Sequence, residues 1–249
     1  MNRLLLPFVF LASGTAVADE LKPLMTVPET IVLHSDFSRT EPLKKTDWLK
    51  RQGTRWNTED GVLRGIPSTQ QYQQSKPDHK GFEPRLSVPS TPAQFAARFR
   101  VRFLDGRETT IVPFVEFGHH VCRLRFSSKT GLELIAAGET IRLAKAAEFT
   151  YESGKWYDVL AEMKGDEFVI QFKNGPTLYA RHSSFADPPR SGGNGLGIAG
   201  PRGGTVEVDD LTIWTISTRA QSTWADTKRQ LPQPIHEATG KTRKQKQKK

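Results

Sequence analysis

The chain of 249 residues holds a single cysteine, Cys122. No intramolecular disulfide can form, so stability has to come from an ordinary hydrophobic core rather than from covalent staples. Cys122 alternates with Leu124 and Phe126, which predicts a buried thiol on an apolar strand face. Long apolar runs are missing too. Nothing approaches the ~20 residues of a membrane helix. The one apolar run near the N-terminus, Leu4 to Ala12, follows Arg3 and precedes Ala16-Val17-Ala18. That is the pattern of a secretory signal peptide over residues 1–18, and it predicts export to the periplasm or beyond the cell. No zinc-ligand spacing, nucleophile elbow, dinucleotide fingerprint or haem motif occurs, and no cofactor is expected. The string Gly240-Lys241-Thr242 is not a phosphate loop, because Ile235 stands where the earlier glycine belongs.

Acidic balance is lacking at one end only. The formal net charge is +9, yet residues 19–218 carry 26 Lys/Arg against 25 Asp/Glu. From Arg219 to Lys249 there are nine Lys/Arg and two Asp/Glu. The body is close to neutral and the excess sits in a C-terminal segment. Such a segment reads as a flexible basic tail over 219–249, either simply solvated or held to an anionic envelope surface. Nucleic acid is a poor match for an exported chain.

What is present is period-two alternation punctuated by turns. Phe95, Ala97, Phe99, Val101 and Phe103 share one face of a strand, and Arg98, Arg100 and Arg102 share the other. Tyr157, Val159, Ala161 and Met163 repeat the pattern, Gly165 turns the chain, and Phe168, Ile170 and Phe172 resume it. Asp60-Gly61, Asp105-Gly106 and Asn174-Gly175 are tight-turn dipeptides. Residues 67–94 hold five prolines and Gln70-Gln71-Tyr72-Gln73-Gln74, and read as a long loop with one short strand near Leu86. Turn signals every 8–12 residues or so indicate an all-β sandwich. The expected layout is a lead-in over 19–30, one sandwich domain over 31–218, and the tail.

The block from Gly154 to Gly175, followed by the one from Gly195 to Ile216, resembles the last strands of concanavalin A-like (laminin G-like) jelly rolls. Three pieces carry a closer resemblance. They are Asp36-Phe37-Ser38 with Trp48, Trp56 and Glu59-Asp60-Gly61-Val62-Leu63; Gly154-Lys155-Trp156; and Gly195-Leu196-Gly197-Ile198 with Val208-Asp209-Asp210-Leu211-Thr212-Ile213. Together they look like the secreted bacterial family named for 3-keto-disaccharide hydrolase, over roughly residues 31–216. That resemblance implies a jelly roll and a sugar-related role.

Candidate chemistry gathers in two places. His79 and Lys80 lie in the long loop, and Glu116, His119, His120 and Arg123 cluster at one strand end. Histidine titrates near neutrality and arginine offers hydrogen-bonding forks, as a sugar site requires. A 3-keto sugar needs a base beside its acidified carbon and a cation facing the enolate. His79, His120 and Arg123 are the candidate catalytic residues. Lys80, Glu116, His119 and Tyr72 are candidate ligand contacts, as are Arg100 and Arg102, if the arginine face meets an acidic glycan rather than pairing across strands. The bland reading makes His119 and His120 a turn and Arg123 part of an exposed arginine face. Glu207-Val208-Asp209 begins the Glu-x-Asp-x-Glu pattern of jelly-roll glucanases, but Leu211 occupies the third position. A structural calcium on Asp36 with Asp209 or Asp210 fits paired terminal strands. A non-catalytic carbohydrate-binding module and a tail-anchored envelope scaffold are the alternatives to an enzyme.

Overall fold

The computed structural model describes residues 20–39, 42–107, 112–136, 138, 140–186 and 195–239. The expected signal peptide and the last ten residues therefore lie outside the described residues. In chain order the early strands are β1 (Thr26–Ser35), β2 (Leu49–Lys50), β3 (Arg55–Glu59) and β4 (Val62–Ile66). Helix α1 (Gln70–Ser75) follows, then β5 (Arg85–Val88), β6 (Phe95–Leu104), β7 (Phe114–Phe117), β8 (Cys122–Ser127), β9 (Gly131–Ala136) and β10 (Ile141–Ala146). The last are β11 (Tyr157–Lys164), β12 (Glu167–Phe172), β13 (Thr177–Arg181), β14 (Leu196–Ala199), β15 (Thr205–Ala220), helix α2 (Trp224–Gln230) and β16 (Glu237–Ala238).

These strands form two eight-stranded antiparallel sheets. The first runs β13-β12-β11-β6-β15-β4-β3, with β1 also paired to β15; the second runs β16-β10-β9-β8-β7-β14-β5-β2. The alternation seen in the sequence is what joins them. Phe95, Phe99 and Phe103 from β6, and Phe117, Leu124 and Phe126 from β7 and β8, meet in one core between the sheets. Cys122 is fully buried there, and burial pushes its thiol pKa up. Asp60 and Gly61 both take positive φ, at 51° and 75°, as the expected two-residue hairpin demands.

The structure corrects three boundaries. The first strand begins at Thr26, inside the expected lead-in. Residues 70–75 form a helix where a loop was expected, because Thr69 accepts the Tyr72 N–H as an N-cap. The segment from 219 is not free as far as residue 239: α2 places Trp224 against Tyr179, Val169 and Met25, and β16 pairs with β10. Two of the tail's cations are paired as well, Lys228 with Glu167 and Arg229 with Asp226. Six of its lysines and arginines fall in residues 240–249, outside the described residues. Among the described residues no helix is long and apolar enough to cross a membrane.

Candidate functional site

A cavity of about 580 Å³ opens on the outer face of the second sheet. Its floor follows from strand register. Gly197 on β14 stands between Ser87 on β5 and Glu116 on β7, and Glu116 stands opposite Arg123 on β8. Two residues along, Ala199 stands between Arg85 and Phe114. Alternation sends Leu86, Val115, Leu124 and Ile198 into the core and turns this second set outward. The central floor strand carries only Gly197 and Ala199 on that face. A Cβ at Gly197 would lie 3.4 Å from the Glu116 Cβ, so a larger side chain there would occupy the cavity rather than clear it.

One wall is a stack of three segments. The turn at Gln52-Gly53 has positive φ at both residues, 54° and 67°. The Tyr72 ring from α1 lies directly on Gly53, where a Cβ would come within 2.6 Å of it. The loop through His79 and Gly81 then closes against the same turn, with the Gly81 Cβ position only 2.2 Å from the Gln52 carbonyl oxygen. Ser68 ties the loop down: its N–H donates to the Gly81 carbonyl at 2.9 Å and its hydroxyl to the Lys80 carbonyl at 2.6 Å.

The opposite wall is the turn between β7 and β8. Gly118 and His120 adopt φ of 70° and 60°, and the Val121 N–H donates to the Gly118 carbonyl at 3.0 Å. This turn carries His119 into the cavity and holds His120 beside it, with ring centroids 4.0 Å apart. Two non-glycine residues in the left-handed region, Gln52 and His79, thus line the cavity, and a third, His120, stands behind it. Backbone strain of this kind costs on the order of 1 kcal/mol each and gathers where a site must be held in shape.

Two histidines, His79 and His119, face the cavity. Glu116 is the only carboxylate among the lining residues. One of its oxygens accepts from Arg123 Nε at 2.7 Å and from the His120 N–H at 3.0 Å. Its other oxygen lies 3.4 Å from His119 Nδ1. The carboxylate faces Nδ1, so Nε2 is the ring nitrogen turned away from it. Across the cavity the Gln52 amide donates to His79 Nδ1 at 3.1 Å, and His79 Nε2 lies 3.9 Å from Asp78 Oδ2. His120 Nδ1 accepts from Arg123 at 2.8 Å, and burial, with His119 adjoining, lowers its pKa. His120 is therefore a neutral acceptor that steadies Arg123.

Of the residues expected from sequence, Tyr72, His79, Glu116 and His119 line the cavity together. His120 and Arg123 sit behind His119 and position Glu116. Lys80 contributes its carbonyl to the Ser68 anchor and is not among the lining residues. Arg100 and Arg102 do not belong with them. They lie on the outer face of the first sheet, across the core from the cavity, and their charge is already met. Arg100 contacts Asp209 at 3.1 Å and Asp158 at 3.3 Å, Arg102 pairs with Glu207, and both guanidinium groups pack on the Trp156 ring. Glu207 is itself fully buried between Arg64 and Arg102. Asp209 is thus engaged by Arg100, and Asp36 accepts from the Ser38 N–H and hydroxyl. Among the described residues no group of three or more His, Cys, Asp or Glu is arranged to hold a metal ion.

Arg51, Gln52, Arg85 and Gly197 complete the cavity and were not singled out from sequence. The signal for Arg85 and Gly197 is register, since they share a face only once β5, β14 and β7 are aligned, whereas Arg51 and Gln52 are brought in by the turn after β2.

No family model matches the sequence, and no curated protein does. Solved structures do match. The structure is similar to SCLam, a non-specific endo-β-1,3(4)-glucanase of family GH16, with 9% identity and a TM-score of 0.50 over 78% of this chain and 96% of that one. The fold is a concanavalin A-like jelly roll. Cellulose-induced protein Cip1 is similar at 13% identity and a TM-score of 0.49, covering 75% of this chain and 97% of that one. The carbohydrate-binding module CBM66 from Bacillus subtilis is similar at 12% identity and a TM-score of 0.41, over 68% of this chain and 96% of that one. Identities this low establish the jelly roll and nothing about a ligand.

Proposed function

We propose that the protein is carbohydrate-active and cleaves an oxidised (3-keto) glycoside in the cavity on the second sheet. One observation carries the reading: His79 and His119, from segments far apart in the chain, line one cavity of about 580 Å³, with Gln52 beside the first and Glu116 beside the second. A volume of that size holds one or two sugar rings. A ketone at C3 acidifies the C2 hydrogen. His119 Nε2 takes that proton, the electrons form the C1–C2 double bond, and the C1–oxygen bond breaks. The departing oxygen, within reach of His79, takes up the proton carried by His119 or one from water. The products are the free alcohol and an unsaturated keto sugar, to which water then adds at C1. Hydrolysis of an unoxidised glycoside needs two carboxylates flanking the bond, and the cavity lining supplies only Glu116.

The test is aglycone release, followed by mass spectrometry, from 3-keto-glucosides and their unoxidised counterparts. Release is expected from the keto substrates alone. His119→Ala is expected to slow it by about 10²- to 10⁴-fold, the usual contribution of a positioned base. A Tyr72 ring on the wall also suits a non-catalytic sugar-binding role. Saturable binding of the keto sugars without release would establish that second reading instead.

A further inference from the structure

The cavity contains a cation that the proton-transfer chemistry does not use. Arg85 lines it, and its Nε is buried with no hydrogen-bond partner. Its guanidinium forms no ion pair among the described residues, and its closest aromatic neighbour is the Phe114 ring, 5.6 Å from the centroid. The carboxylates nearby are taken. Glu83 pairs with Arg202 at 3.4 Å, and Glu116 with Arg123 at 2.7 Å. Arg202 is itself fixed over the Phe82 ring at 3.8 Å, so it does not leave Glu83 to Arg85. Burial acts to pull the Arg85 pKa down, with Glu83 opposing it and Arg123 adding to it. A guanidinium stays charged in spite of such a pull. A half-buried cation without a direct counter-ion is costly unless something meets it.

We infer that Arg85 receives an oxyanion carried by the sugar, so that the ligand of this cavity is an acidic saccharide, bearing a carboxylate or a sulfate ester. This rests on the cavity being a sugar site. The two terminal nitrogens of a guanidinium form a planar fork, which matches two oxygens of one anionic group. The Phe114 ring lies under both Arg85 and Arg123, at 5.6 and 4.6 Å, and keeps water from one side of the pair. The acidic group would anchor one end of the sugar at Arg85 while His79 and His119 address the other. Such an anchor is used at every stage of the reaction, so it sets affinity rather than turnover.

Isothermal titration of the full chain with glucuronate, glucose 6-sulfate, glucose and inorganic sulfate tests the assignment. At least one acidic sugar is expected to bind ten-fold or more tightly than glucose, with affinity falling as salt rises. A carboxylate preference identifies a uronate and a sulfate preference a sulfated sugar. Arg85→Gln is expected to remove the preference, and Arg85→Lys, which retains charge without the fork, to keep part of it. Equal affinity for glucose and the acidic sugars overturns the inference and leaves the sugar site standing. So does a preference that survives in folded Arg85→Gln. Inorganic sulfate binding as tightly as any sugar, lost in Arg85→Gln, supports the anion site and counts against the carbohydrate reading. No binding by any of the four overturns the acidic-sugar assignment, while release from the keto-glucosides judges the sugar site separately.

Discussion

Arginine is the residue on which this molecule turns, and its positions do different work. Arg64 and Arg102 hold the fully buried Glu207 between them, Glu207 being the acid that starts the broken glucanase pattern. Arg125 and Arg142 do the same for Glu133. A carboxylate without water must be met on both sides, so these arginines are structural. Arg102→Ala is therefore expected to destabilise the fold by about 1–3 kcal/mol, since Arg64 still faces the stranded Glu207. Sugar binding is expected to be unchanged. Chemical denaturation beside a binding titration checks this, and a variant of normal stability with impaired binding would return the arginine face to the site. From sequence alone, Arg85 and Arg102 look alike. Arg102 even sits in the more conspicuous row, beside Arg98 and Arg100. What separates them is whether a carboxylate lies opposite on the neighbouring strand, and only the register of β15 against β6 and of β14 against β5 decides that. His79, His119, Glu116 and Tyr72 were legible because a rare residue type or a loop aromatic marked them. The division of labour between His119 and His120 was not. It depends on which ring a tight turn throws inward.

At the scale of elements, long alternating strands were plain and short helices were not. β6, β11 and β12 each bury one face along their whole length, and the sequence repeats with that period. α1 has no buried residue and no apolar stripe, so nothing but its Thr69 cap announces it. α2 is held by a few contacts only. Trp224 buries its ring against Tyr179 and donates from Nε1 to Glu167 at 3.0 Å. Lys228 Nζ donates to the same carboxylate at 3.0 Å, and the Tyr179 hydroxyl at 2.6 Å. Burial acts to raise the Glu167 pKa, but these three donors outweigh it and hold it below the usual carboxylate value. A depressed carboxylate pKa stabilises the folded form above the unfolded value of 4.5 and loses that contribution as pH falls through the folded value. α2 is thus expected to loosen below about pH 4.5 before the sandwich unfolds. Proteolysis at graded pH should then cut first around residues 221–231. Glu167→Gln should make that cleavage nearly independent of pH, whereas unchanged acid sensitivity in the variant would place the trigger elsewhere.

The whole molecule closes one outer face and leaves the other open. The first sheet is covered from both ends of the described chain. Leu24, Met25 and Thr26 donate their N–H groups to the buried Glu162, and α2 lays Trp224 over the neighbouring strands. The chain then crosses to the far sheet, where β16 extends β10 and Glu237 meets Arg142 at 2.8 Å. Residues 221–239 therefore clasp the two sheets together, while the face bearing the cavity keeps its opening. The basic composition that suggested a loose tail from 219 is concentrated beyond this clasp, and the two regions should behave differently when removed. Ending the chain after residue 239 is expected to leave the thermal midpoint and sugar binding as they are. Ending it after residue 218 deletes Trp224, whose burial alone is worth about 3 kcal/mol, as well as β16. For a domain of this size each kcal/mol moves the midpoint by about 2–4 °C, so a fall of about 6–12 °C is expected. Calorimetry of the two truncations decides it. Equal midpoints would mean that the sandwich is complete at 218 and the clasp only rests on it. A fall in both would extend the clasp into residues 240–249.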